Sequence, residues 1–127
     1  MTRTRAEGAT AMALFHELRE DLPAVALATL KTDVRSYFDH LVATQRRNEL
    51  VAVDLAELLC VRLETLLAMA HQLAPAARGD IVGAARYFIS EDDAVPDDRS
   101  CTGLDDDVEV FNHVAVAIGR PDLVIAD

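Results

Sequence analysis

The sequence predicts an all-α fold, a compact bundle of about five helices that forms one domain over residues 1–127. Apolar residues recur at spacings of three and four along most of the chain, whereas the alternating pattern of β-strands persists nowhere. The apolar fraction is 51%, yet aromatic residues make up only 5%, so Leu, Val and Ala must build the core, as in packed helices. A length of 127 residues fits a single domain.

Two helices are predicted in the first third of the chain. The first spans residues 10–21, and we expect residues 1–8 to be frayed. Pro23 fits the first turn of the second helix, where a proline costs no hydrogen bond. The apolar positions of the first helix are Met12, Phe15 and either Leu18 or Leu22, and those of the second are Leu27, Leu30, Val34, either Tyr37 or Phe38, and Leu41. The polar residues 46–48 predict a break after the second helix.

The third helix, over residues 49–73, has the strongest apolar pattern, because its leucines cover well over one face. A helix of this kind usually contacts neighbours on several sides, so we expect it at the centre of the bundle. Pro75 either ends this helix or opens the next one. Gly79 and Asp80 predict a break, with Asp80 capping a fourth helix over residues 81–89.

The C-terminal part is predicted to hold a loop over residues 90–103 and a last helix over 104–118. Gly119 is a good helix stop, and Pro121 follows it. The apolar run in residues 123–125 is expected either to pack against the bundle or to pair.

One segment, residues 87–106, has a recognisable signature. Its pattern consists of Tyr87, Ser90, Asp93, Pro96, Asp97, Gly103, Asp105 and Asp106. This pattern resembles the YkvA-like family of unknown function, and the resemblance covers residues 81–112. The remainder of the chain matches no family pattern. The resemblance implies no activity, since none is assigned to the family.

Each signature residue also has a structural interpretation in a tight helix–loop–helix. Asp93 can accept backbone amides in an Asx-turn, and Pro96 fixes its own φ angle. Gly103 permits a positive φ just before the helix. Asp105 and Asp106 would lie in the first turn, where the helix dipole favours negative charge.

A metal site is the alternative interpretation of the same segment. Seven carboxylates lie within sixteen residues, at Asp92, Asp93, Asp97, Asp98, Asp105, Asp106 and Asp107. Hard cations such as Mg²⁺ or Ca²⁺ take oxygen ligands, and the ligands in this hypothesis are Asp93, Asp97, Asp105 and Asp106. The spacing of an EF-hand loop is absent from the sequence.

Negative charge is concentrated in the same part of the chain. Residues 91–127 hold eleven acidic and two basic residues, so nine of the ten net negative charges lie there. Such a segment repels phosphates, which argues against nucleic-acid binding, and it attracts a basic protein partner. Asp92, Asp98 and Asp107 are the acids that the loop geometry does not require, and we therefore predict that they contact the partner.

The absence of several motifs argues against other classes of protein. No HxxxH, HExxH, GxSxG or phosphate-binding glycine loop occurs, so an enzyme is not the favoured hypothesis. Charged residues interrupt the longest apolar stretch, which argues against a membrane span and a membrane partner. Two distant cysteines without a CxxC pair indicate a reducing cytoplasm. Eleven arginines against one lysine are typical of a GC-rich bacterial genome.

These observations favour a small cytoplasmic, non-enzymatic interaction or regulatory module. The apolar surplus predicts self-association as a homodimer, and the acidic loop predicts a basic partner. The competing hypothesis is a metal-binding protein or metal-dependent enzyme that uses the aspartates of residues 92–107. A third is an antitoxin-like regulator that neutralises a basic protein through charge mimicry.

Overall fold

The computed structural model describes residues 3–48, 53–90 and 100–125, and within these ranges the chain forms five α-helices and no strand. The helices are α1 (Arg3–Leu18), α2 (Ala24–Asn48), α3 (Val53–Met69), α4 (Pro75–Ile89) and α5 (Ser100–Ala117). Short 3₁₀ turns follow α3 and α5, at Ala70–Gln72 and Pro121–Leu123. The predicted all-α bundle is confirmed. No helix in the described ranges has the length and apolar character needed to cross a membrane.

Helix α4 lies at the centre of the bundle, because it packs against all four other helices. The prediction that the third helix is central was therefore wrong: α3 packs against α2, α4 and α5. The expectation that the third helix contacts several neighbours is confirmed, but α4, with its many small buried residues, contacts one helix more. The buried residues of α4 are Gly79, Ile81, Val82, Gly83, Ala84, Ala85, Tyr87 and Phe88.

Gly83 lets α1 approach α4 closely, whereas Gly79, one helical turn before it, lies beside the segment that follows α1. A Cβ atom at Gly83 would lie 2.9 Å from Cε1 of Phe15 and 2.8 Å from Cγ of Arg19. A Cβ atom at Gly79 would have its nearest neighbours at 3.8 Å, on the backbone of Glu20. Gly83 is therefore required by packing, whereas Gly79 faces ordinary van der Waals space.

Several helix boundaries differ from the predictions. Helix α1 extends back to Arg3, through most of the segment that we expected to be frayed. Pro23 precedes the first residue of α2, and its carbonyl accepts the Leu27 amide at 2.9 Å. Residues 49–52, where the third helix was predicted to start, lie outside the described residues.

The largest boundary errors concern α4 and α5. Pro75 opens α4, and the predicted break at Gly79 and Asp80 is wrong, since both residues lie inside this helix. Helix α5 starts at Ser100, four residues earlier than expected. The helix therefore includes Gly103, which is not the positive-φ residue of a loop.

The end of α5 follows the predicted geometry. Gly119 has φ +86°, and its amide donates to the Val116 carbonyl at 3.1 Å, while the Arg120 amide donates to the Ala115 carbonyl at 2.7 Å. This pair of bonds is a Schellman motif, which needs a left-handed residue where Gly119 stands.

The chain then folds back as a strap over residues 121–125. The amide group of Asn112 donates to the Ile125 carbonyl at 3.0 Å and accepts the Ile125 amide at 2.8 Å. Arg62 of α3 donates to the carbonyls of Leu123 and Val124. Ile125 is 5% exposed, so the strap closes the core between α3 and α5.

Candidate functional site

The candidate site is the junction between α4 and α5, which pack against each other. Tyr87 lies in the last turn of α4 and is 1% exposed, with its hydroxyl oxygen buried. Ser90 has left the helix, and its amide donates to the Tyr87 carbonyl at 3.2 Å. Tyr87 therefore anchors the end of α4 in the core, directly before the acidic segment.

Two of the predicted aspartates turn inward from α5. Asp107 is 8% exposed and its Oδ1 atom is buried, while Asp106 is half-buried with its Oδ2 atom buried. Both residues lie in the second turn of α5, because the helix starts at Ser100. The expectation of a first-turn dipole position for Asp105 and Asp106 was wrong for the same reason. A buried Asp107 is also poorly suited to the direct partner contact that we predicted for it.

The remaining predicted site residues cannot be placed relative to these. Residues 91–99 lie outside the described residues, and they include Asp92, Asp93, Pro96, Asp97 and Asp98. The side chain of Asp105 is also outside the described part of the chain. Among the side chains that are described, no group of three or more His, Cys, Asp or Glu residues gathers around a common point.

A cluster of ion pairs joins the end of α1 to α4. Arg78 forms a bidentate pair with Asp21, at 2.6 and 3.1 Å. Arg86 pairs with Glu20 at 3.0 Å and also donates to the Leu18 carbonyl at 3.0 Å. The Asp21 pairing with Arg78 lowers the pKa of that carboxyl group. A further pair joins Arg19 to Asp80, at 3.3 Å.

A second cluster lies between α2 and α3. Arg35 forms a bidentate pair with Glu64, at 2.7 and 3.0 Å, which raises the pKa of the guanidinium. The Cys60 thiol is fully buried, and its sulfur lies 4.0 Å from the Val34 carbonyl oxygen. Burial, together with the negative charges of Glu64, Asp39 and Glu57, raises the pKa of the thiol to about 11. Cys60 is therefore a neutral core residue and a poor nucleophile.

The ion pairs leave an acidic surface. Five of the arginines with described side chains pair with carboxylates, at Arg19, Arg35, Arg78, Arg86 and Arg120. Arg62 is bound to the strap carbonyls. The exposed acids that form no ion pair among the described residues are Glu17, Asp33, Asp39, Asp54, Glu57 and Glu109. Among the described lysine and arginine side chains, Lys31 is the one that is exposed and forms no ion pair.

Sequence reasoning did not find these ion pairs, and no signal in the sequence marks them. Arg35 and Glu64 are 29 positions apart, and Arg78 and Asp21 are 57 apart. Helical spacing rules connect residues three or four positions apart and do not predict contacts between residues so far apart in the sequence.

An open groove of about 410 Å³ lies at the start of α2. Asp21 and Arg78 line it and already neutralise each other, together with Pro23 and the exposed His71. The ion pair of the groove therefore offers no uncompensated charge to a ligand.

Comparisons of the chain with protein-family models, with curated proteins and with solved structures find no match. The YkvA-like resemblance of residues 87–106 consequently stays a prediction.

Proposed function

We propose that this chain is a small cytoplasmic interaction module that self-associates and offers an acidic surface to a basic protein partner. The observation that supports this best is the use of arginine inside the fold. Because the described arginines bind carboxylates and carbonyls of the same chain, the exposed charge that remains on described residues is predominantly negative. Such a surface attracts cationic partners and accelerates their association.

The specific partner contact in this proposal comes from Asp92 and Asp98. The same function was predicted for Asp107, but its burial withdraws that side chain from the surface. The exposed acids of α2 and α3 then contribute long-range attraction rather than specificity. A fluorescent oligolysine peptide tests this: its affinity for the chain should fall as salt is raised, because salt screens exposed charges. Salt-independent binding, or stronger binding of an oligoglutamate control, would exclude an acidic recognition surface.

Self-association is supported by the apolar surplus and by three exposed valines. Val25 is 75% exposed, Val61 45% and Val116 60%, on α2, α3 and α5 respectively. A two-fold interface that covers one of these residues would bury a glutamate placed at that position, once on each protomer. Light scattering should therefore give twice the 13.8 kDa chain mass for the wild type and a lower mass for one Val→Glu variant. A wild-type mass of 13.8 kDa at micromolar concentration contradicts the homodimer.

A second candidate function, favoured by the inward position of Asp106 and Asp107, is metal binding or metal-dependent catalysis. A carboxylate oxygen removed from water is stabilised by a nearby cation, and Mg²⁺ and Ca²⁺ accept such ligands. In this proposal Asp93, Asp97, Asp105 and Asp106 supply the oxygens.

Thermal unfolding in EDTA, Mg²⁺ and Ca²⁺ tests the metal proposal. The ions should raise the melting temperature of the wild type and of the exposed control Asp54→Asn, but not that of Asp106→Asn. Equal melting temperatures of the wild type in EDTA and in both ions would exclude the site.

A further inference from the structure

Two histidines from different helices lie side by side on the surface of the bundle. His16 of α1 and His113 of α5 are both exposed, and their ring centres are 6.5 Å apart with the planes at 77°. Both rings contact Phe15, at centre distances of 5.1 and 5.7 Å. Phe15 is fully buried, so its ring is a fixed surface that both imidazoles contact.

The separation places both imidazoles within reach of a shared metal ion once the side chains rotate. With a zinc–nitrogen distance of 2.0–2.1 Å, the ion lies about 3.2 Å from the centre of each coordinating ring. The two ring centres are then about 5.2 Å apart when the N–Zn–N angle is tetrahedral, and up to about 6.4 Å apart when this angle is wider. The observed 6.5 Å is slightly longer than this range, so the two ring centres must approach each other by about 1.3 Å to bind a tetrahedral ion. Because both side chains are exposed, rotation about their side-chain bonds can supply the remaining approach.

We propose that His16 and His113 together bind one divalent transition-metal ion of the zinc class. Imidazole nitrogen is a preferred ligand of Zn²⁺, Ni²⁺ and Cu²⁺, whereas Mg²⁺ and Ca²⁺ prefer oxygen. No third His, Cys, Asp or Glu side chain joins the pair within the described part of the chain. Water then completes the coordination, and the site is an open one that binds its ion more weakly than a four-ligand structural site. The bound ion joins α1 to α5.

Titration calorimetry of the full chain with Zn²⁺ alone tests the site. The wild type should bind one ion, and His16→Gln and His113→Gln should each weaken binding at least tenfold. His71→Gln is the matched control, since His71 is also exposed but lies on the 3₁₀ turn after α3. Its affinity should equal that of the wild type. Unchanged binding in His16→Gln or His113→Gln, or an equal loss in His71→Gln, would overturn the proposal.

Two further measurements separate this site from the acidic segment. Excess Mg²⁺ should leave Zn²⁺ binding unchanged, and Asp106→Asn should bind Zn²⁺ as the wild type does. Zn²⁺ should also raise the melting temperature of the wild type but not of His16→Gln, because ligand binding to the folded state stabilises it. Loss of Zn²⁺ binding in Asp106→Asn would assign the ion to the aspartates instead.

Discussion

Gly83 of α4 lies directly against the ring of Phe15 of α1. A methyl group at position 83 would approach Cε1 of that ring to 2.9 Å, a distance that real Cβ atoms essentially never show. Phe15 is fully buried and cannot move aside without disturbing the core. The contact between α1 and α4 therefore depends on the absence of a side chain at residue 83.

The first prediction compares alanine at the two glycines of α4. Gly83→Ala should destabilise the fold by about 1–3 kcal/mol, because overpacking forces neighbours out of their preferred positions. Gly79→Ala should be neutral or stabilising by up to about 1 kcal/mol, because alanine favours the helix and the space at position 79 admits a Cβ atom. Urea unfolding measures both. Equal changes in the two variants would show that α1 does not pack closely on Gly83.

The second prediction concerns the C-terminal strap. Asn112→Ala removes both hydrogen bonds to Ile125, and we expect the free energy of unfolding to fall by about 1–3 kcal/mol. Each bond contributes about 1 kcal/mol, and the half-buried amide and carbonyl of Ile125 are left without these partners. Hydrogen exchange at the Ile125 amide should accelerate well before global unfolding. Glu109→Ala is a suitable control, since Glu109 is exposed on the same helix. Equal protection of Ile125 in Asn112→Ala and the wild type would contradict the strap.

Local chemistry in the sequence predicted part of this fold. Pro75 and Gly119 mark a helix start and a helix end, because each has a conformational preference that needs no distant partner. Gly79 and Asp80 misled the prediction, since a glycine inside a helix gives the same signal as a break. In the fold Gly79 lies beside the backbone of Glu20, which is almost sixty positions away in the sequence.

The third prediction separates two roles of Arg86. Arg86→Gln removes both the pair with Glu20 and the bond to the Leu18 carbonyl at the end of α1, and we expect a loss of about 1–2 kcal/mol. Glu20→Gln removes only the exposed ionic part and should cost less than about 1 kcal/mol. Chemical denaturation at low and moderate salt measures both variants. A larger loss in Glu20→Gln than in Arg86→Gln would contradict a helix-capping role.

The fourth prediction concerns the pH dependence that Cys60 confers. Its pKa is raised from 9.0 to about 11 in the folded chain, so between these values the unfolded chain loses its thiol proton first. The free energy of unfolding should consequently fall as pH rises from about 9 to 11. Cys60→Ala should show a shallower fall over the same window. Identical pH profiles for Cys60→Ala and its parent would contradict the raised pKa.

Thiol reactivity offers a separate check on Cys60. The Cys101→Ser variant leaves Cys60 as the single cysteine. At pH 8 a disulfide reagent should react with the folded variant at least about tenfold more slowly than with the urea-unfolded variant, because a neutral buried thiol is a poor nucleophile. Equal rates would show that the thiol is accessible.

The candidate site was less predictable than the fold. The acidic composition of residues 91–107 is visible in the sequence, but the burial of Asp107 is not, because it depends on where α5 begins. A start at Leu104 would place Asp107 one turn from the loop, whereas the start at Ser100 places it in the second turn. The pairing of His16 with His113 is equally invisible, since it requires the packing of α1 against α5.

The comparison of two doubly neutralised variants tests the proposed acidic recognition most directly. Asp92→Asn/Asp98→Asn and Asp54→Asn/Glu57→Gln remove the same charge, but only the first changes the proposed contact. Fluorescence anisotropy at about 0.1 M salt, where screening acts over about 10 Å, measures their affinity for oligolysine. We expect the first variant to bind at least about fivefold more weakly than the second, a difference of about 1 kcal/mol. Equal affinities of the two variants would contradict recognition through Asp92 and Asp98.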